Sequence, residues 1–312
     1  MELIDTTAGD VVKGLARAQH NAGGSSGLAL NLVVLASEDQ REQLEEAAKQ
    51  AAQEHPYRLL IVLPRYESAE QPRLDAEILV GDRLGPCEAV IMRLDGALSQ
   101  HAASVVVPLL EPDVPVVTCW LTAPPECSVE HPLGAMADRR ITYSALTSDP
   151  IGTLRKRARD YSPGDTDICW TRITYWRSLI ASAFDNVTSS VTDLRIEANA
   201  SDPSAQLMAA WLHSRLNVQP ELIDTDVVRN GEHLPGIKSV SFNLENGDSI
   251  TIHRQPDGQT FLFQEGFAKR QLILQGRSLG QLLAEELRHM DPDRAFHTTL
   301  EQFAYDKGVS VA

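Results

Sequence analysis

Leu28-Ala29-Leu30-Asn31-Leu32-Val33-Val34-Leu35 decides the fold class of this chain. The run has strand length and almost no polar alternation, which is the pattern of a strand covered on both faces, as in a parallel sheet between helix layers. Its surroundings suit that reading. Ser37 is placed to cap a helix running to about residue 53, and Gln40 stands where a capping box closes. Residues 57–63 form a second buried-type strand. Residues 73–80 and 88–94 read as two more, joined through Gly81-Asp82-Arg83-Leu84-Gly85-Pro86. Upstream, Val11, Val12, Leu15 and Ala18 stripe a helix over 7–20. Downstream, 96–110 suits a helix that Pro108 ends or kinks, 115–121 a short strand, and 139–144 an edge strand. Asp149-Pro150 supplies the cap and first position of a helix to about residue 160. Helices alternating with strands predict an α/β domain with a mixed, Rossmann-like sheet.

Ser162-Pro163-Gly164-Asp165 reads as a turn and as the boundary between an N-terminal α/β domain, 1–161, and a C-terminal α/β domain, 166–312. The second half restarts with a helix over 167–184 and a strand over 191–198. Asp202-Pro203 then caps a helix to residue 216. Strands at 237–244 and 249–254 make a hairpin around Asn246-Gly247, and 260–264 extends it into an antiparallel meander. Ser278 and Gln281 form a capping box for a helix whose apolar face carries Leu279, Leu282, Leu283, Leu287 and Met290; Asp291-Pro292 ends it.

The 312 residues carry a net charge of −15 and 43% hydrophobic residues, ordinary for a globular protein with a proper core. An acidic chain lacks the footprint of a nucleic-acid binder and is repelled by anionic membranes. No apolar run approaches the ~18 residues of a membrane span, and Met1-Glu2-Leu3-Ile4-Asp5 does not resemble a signal peptide. Cys87, Cys119, Cys127 and Cys169 fit neither a zinc site nor a disulfide framework, so a cytoplasmic protein with reduced thiols is expected.

The search for chemistry returns little. Gly23-Gly24-Ser25-Ser26-Gly27 follows a helix and opens a strand, the reverse of a phosphate loop, and reads as a connector. The histidines show no metal-binding spacing, and His213 reads as structural. Glu285 and Glu286 diverge on their helix and read as a solvated face. No nucleophile elbow occurs. A Cys119–Cys127 redox pair is conceivable. Arg155-Lys156-Arg157 with Arg159 is the densest positive charge, either a solvated helix face or a docking patch for an acidic partner. No catalytic residue, metal site or cofactor is expected.

Asp167-Ile168-Cys169-Trp170-Thr171-Arg172-Ile173-Thr174-Tyr175-Trp176-Arg177 concentrates aromatics in a chain only 5% aromatic. On a helix, Cys169, Ile173, Trp176, Ile180 and Phe184 form one stripe. Trp170 and Arg177 share one flank. Arg172 lies on the other, in range of Trp176 for a cation–π contact. The segment suits a core helix, or an interface, since Trp, Tyr and Arg dominate binding hot spots. Trp170, Arg172, Trp176, Arg177, Arg155 and Arg157 are therefore the candidate partner-binding residues.

This block resembles the D-x-x-W-T-R-x-T-x-W-R signature of the OpcA family of glucose-6-phosphate dehydrogenase assembly proteins. Leu30-Asn31-Leu32-Val33-Val34 is similar to the family's first strand. Residues 105–116, with Pro108-Leu109-Leu110-Glu111-Pro112-Asp113-Val114-Pro115-Val116, are similar to its P-L-L-x-P-D-x-P-V segment, and 277–293 to its R-S-L-x-x-L-L-x-E-L element. The resemblance implies a non-catalytic protein of the oxidative pentose phosphate pathway that binds glucose-6-phosphate dehydrogenase and promotes its active oligomer. In some members this effect is linked to redox state, for which the cysteines here offer no pattern. The alternative from the first-half sheet is a module sensing a nucleotide or sugar phosphate at its strand ends.

Overall fold

The computed structural model of the protein describes residues 1–22, 27–52, 56–65, 71–80, 87–226, 228–229, 232–233, 236–274 and 276–310. The glycine-rich connector at 23–26 and the strand link at 81–86 lie outside them. The strands are β1 (Glu2–Leu3), β2 (Leu30–Leu35), β3 (Tyr57–Arg65), β4 (Arg73–Val80), β5 (Glu88–Asp95), β6 (Val116–Trp120), β7 (Arg139–Thr142), β8 (Asp165–Asp167), β9 (Val191–Ala198) and β10 (Glu221–Asp224). A ribbon of β11 (Val228–Arg229) and β12 (Glu232–His233) follows, then β13 (Ile237–Leu244), β14 (Ser249–Arg254), β15 (Thr260–Gln264) and β16 (Arg270–Leu272). The helices are α1 (Ala8–Asn21), α2 (Arg41–Ala52), α3 (Ala102–Val106), α4 (Pro132–Ala135), α5 (Pro150–Arg159), α6 (Ile168–Arg172), α7 (Thr174–Ala183), α8 (Pro203–Leu216), α9 (Leu279–Leu287) and α10 (Arg294–Asp306).

The packing units do not follow the contiguous division into 1–161 and 166–312. One unit comprises Met1–Leu146, Ser162–Ile168 and Ser278–Pro292; the other comprises Thr147–Tyr161, Cys169–Arg277 and Asp293–Ala312. The Ser162–Asp165 turn does form, with the Asp165 amide donating to Ser162 O at 2.9 Å and Gly164 at φ +96°. It leads back into the first unit's sheet.

That sheet has the order β1-β4-β5-β3-β2-β6-β7-β8. The strands from β5 to β8 all pair in parallel, while β4 and β1 add antiparallel at one side. Taken in chain order, the six parallel strands lie as 3-2-1-4-5-6, the arrangement of doubly wound dinucleotide-binding sheets. Both faces are buried, and the alternation along each strand sorts the side chains. Leu32, Val34, Leu59 and Ile61 face α2 and α9. Val33, Leu35, Leu60 and Val62 face α1 and α3. Each such side chain, fully buried, is worth about 1.5–3 kcal/mol over an exposed one.

Four expectations change here. The strand at 139–144 is interior, because β8 pairs beyond it. The three residues of β8 are polar and give no apolar signal; buried partners hold them instead. Arg140 Nε donates to Asp165 Oδ1 at 2.5 Å, and Asp167 Oδ2 accepts from Thr142 Oγ1 at 2.7 Å and from the Ser144 amide at 3.0 Å. The helix expected over 96–110 divides into a 3-10 turn, α3 and a second 3-10 turn carrying Pro108. The helix α9, with its Ser278/Gln281 capping box, packs on the first unit's sheet rather than with the meander. Glu286 on it is buried, not solvated, because Arg139 Nη2 donates to it at 2.7 Å.

The second unit's sheet has the order β10-β9-β13-β14-β15-β16. Here β9 and β10 are parallel, connected through α8, and the rest is the expected antiparallel meander. Gly247, at φ +90°, sits in the β13–β14 turn, where a left-handed residue is required. Leu194, Ile196, Val240, Phe242, Ile250, Ile252 and Leu262 are the buried face. The helix α10 packs on α8 and α5. Its cap Asp293 and its stripe of Phe296, Leu300, Phe303 and Ala304 were the legible signal for a helix the sequence reading stopped short of.

Candidate functional site

The Trp/Arg block is not one helix. After β8 the chain forms α6, turns at Ile173 (φ −93°, ψ 3°) and restarts as α7. The turn sets the two tryptophans in different surroundings, both buried, at 1% and 3% exposure. Trp170 Nε1 donates to Asp293 Oδ2 at 2.7 Å. The other oxygen of that carboxylate caps α10 through the amides of Ala295 and Phe296, at 2.8 and 3.0 Å. The Arg177 guanidinium lies 3.4 Å from the Trp170 ring centroid, so the expected flank pairing of these two residues holds.

Arg254, from β14, lies 5.4 Å over the Trp176 ring. Arg172 stands 3.7 Å from Asp202, which caps α8 through the Ser204 amide. Arg277 donates to Thr171 O, and its guanidinium lies 4.5 Å over Tyr175, the exposed aromatic of the block. Arg177 and Arg254 thus each meet an indole, Arg172 the cap of α8, and Arg277 a backbone carbonyl and the Tyr175 ring. Asp202, Arg254, Arg277 and Asp293 are the partners sequence reasoning missed. Only the caps had a local signal, Asp-Pro before α8 and Asp-Arg before α10.

The basic cluster on α5 also divides. Arg155, Lys156 and Arg159 are exposed, whereas Arg157 is buried with its Nη2 3.1 Å from Asp160. His213 is structural, its Nδ1 2.9 Å from Asp306 Oδ1.

In the first unit, the switch point of the doubly wound sheet lies at the ends of β2 and β6, where such sheets bind phosphates against a helix N-terminus. A carboxylate holds that turn. Glu38 accepts from Arg93 Nη2 at 2.8 Å and from Arg65 Nη2 at 3.1 Å, and these arginines hold its acid below the usual carboxylate range. Gln40 Nε2 crosses from the first strand end to Leu121 O at 3.2 Å. Beyond β6, His131 caps α4, its Nδ1 accepting from the Leu133 amide at 3.2 Å and its ring edge-on to Trp120. Burial pushes this imidazole's pKa down.

All four cysteines are free thiols. Burial pushes the Cys119 thiol well up and the Cys87 thiol up to about 11, which disfavours the reactive thiolate at both. Among the described residues, no group of three His, Cys, Asp or Glu side chains could hold a metal ion. No described helix is long and apolar enough to cross a membrane.

A second surface has no counterpart in the sequence reading. In the second unit, Phe263, Phe267 and Ile273 are 40, 69 and 82% exposed. Lys269 Nζ lies 3.6 Å from the ring centroid of Phe261 and 5.1 Å from that of Phe263. The signal was present: Phe261-Leu262-Phe263 is apolar at both parities, whereas β13 and β14 alternate.

Comparison with known proteins places these features. Residues 48–159 match the family model described as the glucose-6-phosphate dehydrogenase subunit N-terminal domain, and residues 163–300 the model of its C-terminal domain. A putative OxPP cycle protein OpcA of Synechococcus elongatus is 31% identical over 176 residues, covering 53% of this chain and 38% of that protein. The match therefore spans well under half of that relative's length. Among solved structures, an oxidoreductase from Sinorhizobium meliloti aligns at 11% identity over 89% of this chain and 88% of its own, with a TM-score of 0.42, too loose to bear on fold or function.

Proposed function

The chain belongs to the glucose-6-phosphate dehydrogenase subunit family, the OpcA family, and from that membership we propose that it is a non-catalytic partner of that dehydrogenase. The observation that carries the reading is the order and extent of the two domain matches, N-terminal then C-terminal, across most of the chain. The finer content of the proposal is that binding favours the active oligomer of the enzyme. For that the chain must bind the active form more tightly than the inactive one, and the gain in activity is bounded by that difference in affinity.

The switch point of the first sheet supports a partner over a nucleotide sensor. Glu38 places negative charge in the turn where a dinucleotide phosphate would lie, and Arg65 and Arg93 are already engaged by it. A phosphate entering there would meet a like charge at a helix start that already has its anion.

The test uses the full chain and the dehydrogenase purified from the same organism. Light scattering after size exclusion reads complex formation and oligomeric state, and initial rates are taken with and without the chain. Co-elution with a rise in activity is the expected result. Separate elution with unchanged rates and oligomeric state would overturn the proposal.

A further inference from the structure

The outward face of the second unit's sheet changes character from one edge to the other. At the β9–β10 edge it is ionic and internally paired: Arg195 Nε lies 3.3 Å from Asp193 and 3.0 Å from Glu221, and Lys238 lies 2.8 Å from Glu197. At the β15–β16 edge it is aromatic. Register puts Phe261 opposite His253 and Gln271, and Phe263 opposite Thr251, so both phenyls stand on the face away from buried Leu262. Phe267 follows in the turn, and Ile273 continues the outward parity of Gln271. Lys269 is exposed over the two rings and, among the described residues, forms no ion pair, although the chain carries a net charge of −15.

We propose that this aromatic edge, with Phe261, Phe263, Phe267, Lys269 and Ile273, is the docking surface for a carboxylate-bearing patch of the dehydrogenase. The proposal rests on the reading of the chain as that enzyme's partner and adds the place of contact. Exposed phenyls and an isoleucine supply apolar anchors. Among the described residues the ammonium held against them has no compensating anion, whereas the cations at the opposite edge of the same face are already paired. A carboxylate brought over Lys269 as the rings are covered gains a partially desolvated ion pair while the phenyls leave water. Among the described residues β16 is also the last strand of its sheet, so its outer edge is open to a strand from the occupant.

The experiment measures the affinity of the immobilised dehydrogenase for the full chain and for Phe263→Ser/Phe267→Ser, Lys269→Glu, Lys269→Arg and, as a control in the first unit, Ile4→Ser. Thermal melts verify that each variant is folded, and sedimentation of the chain alone reads self-association. The double Phe variant and Lys269→Glu are expected to weaken binding about tenfold or more, the scale of interface anchor residues. Lys269→Arg and Ile4→Ser should stay within about twofold, a small step on the affinity scale. Wild-type binding with unchanged affinity in the patch variants would overturn this surface and leave the functional reading standing. Absence of wild-type binding would remove both. Loss of self-association instead of enzyme binding would assign the surface to a second copy of the chain and overturn the proposal.

Discussion

The sheet of the first unit is covered on both faces by its own helices, whereas the outward face of the second unit's sheet carries exposed aromatics at one edge. In β3, neighbours Leu60 and Ile61 point opposite ways and are both wholly buried. In β15, Leu262 is buried and its neighbour Phe263 is 40% exposed. The same kind of apolar alternation therefore carries different information in the two units. In the first, it defines two layers of core and leaves no apolar face over. In the second, Phe263, Phe267 and Ile273 are left exposed, and aromatics gathered at one edge are what a binding surface presents.

The two regions respond differently to substitution. The largest loss is expected at Trp170→Ala, which empties a fully buried indole site and leaves Asp293 Oδ2 without its indole donor; urea unfolding should show about 3–5 kcal/mol. A loss below about 1 kcal/mol, the scale of surface changes, would mean that the block contributes little to the second unit's core. Next come the paired truncations. Leu60→Ala and Ile61→Ala should each cost about 2–5 kcal/mol, as should Leu262→Ala. Phe263→Ala should change stability by no more than about 0.5 kcal/mol. If Phe263→Ala costs as much as Leu262→Ala, the second sheet is not one-sided and the comparison fails.

The smallest effect is confined to the first unit and depends on pH. His131 caps α4 in its neutral form, and burial lowers its folded pKa below the ordinary imidazole value of about 6.5. Its contribution is thus full above about 6.5, the unfolded value, and is lost as pH falls through the lower folded value. His131→Asn keeps a capping oxygen and removes the titration. Melting temperatures followed from pH 8 to 5 should fall less for this variant than for the wild type; parallel curves would count against the assignment.

Much of this was legible because it is local. The buried run at β2, the capping boxes at Ser37 and Ser278, the Asp-Pro caps of α5 and α8 and the Asn-Gly hairpin all state their structure within a few residues, and each is present. The candidate site was half legible. Helical spacing placed Arg177 over Trp170, since the two share a flank. It gave no hint of Arg254 over Trp176, because that contact arises 78 positions along the chain and leaves no trace in the block. Arg157 looked like surface charge because nothing nearby reports that α10 and α8 pack on α5.

By itself, the sequence determined the α/β class, the order of most elements and the two-sided burial of the first sheet, because each side chain's polarity against the helical or strand period says which face seeks cover. It could not say what supplies that cover. That Asp165–Asp167 is a strand, that α9 joins the first unit's sheet and that the aromatics of β15 stand uncovered were decided in three dimensions. The strand at Asp165–Asp167 depends on Arg140, Thr142 and Ser144, 23 to 25 positions back, and the seat of α9 on the Arg139–Glu286 pair, 147 positions apart. A buried charge is stable only beside a partner, and for Arg139 that partner lies far outside the local sequence.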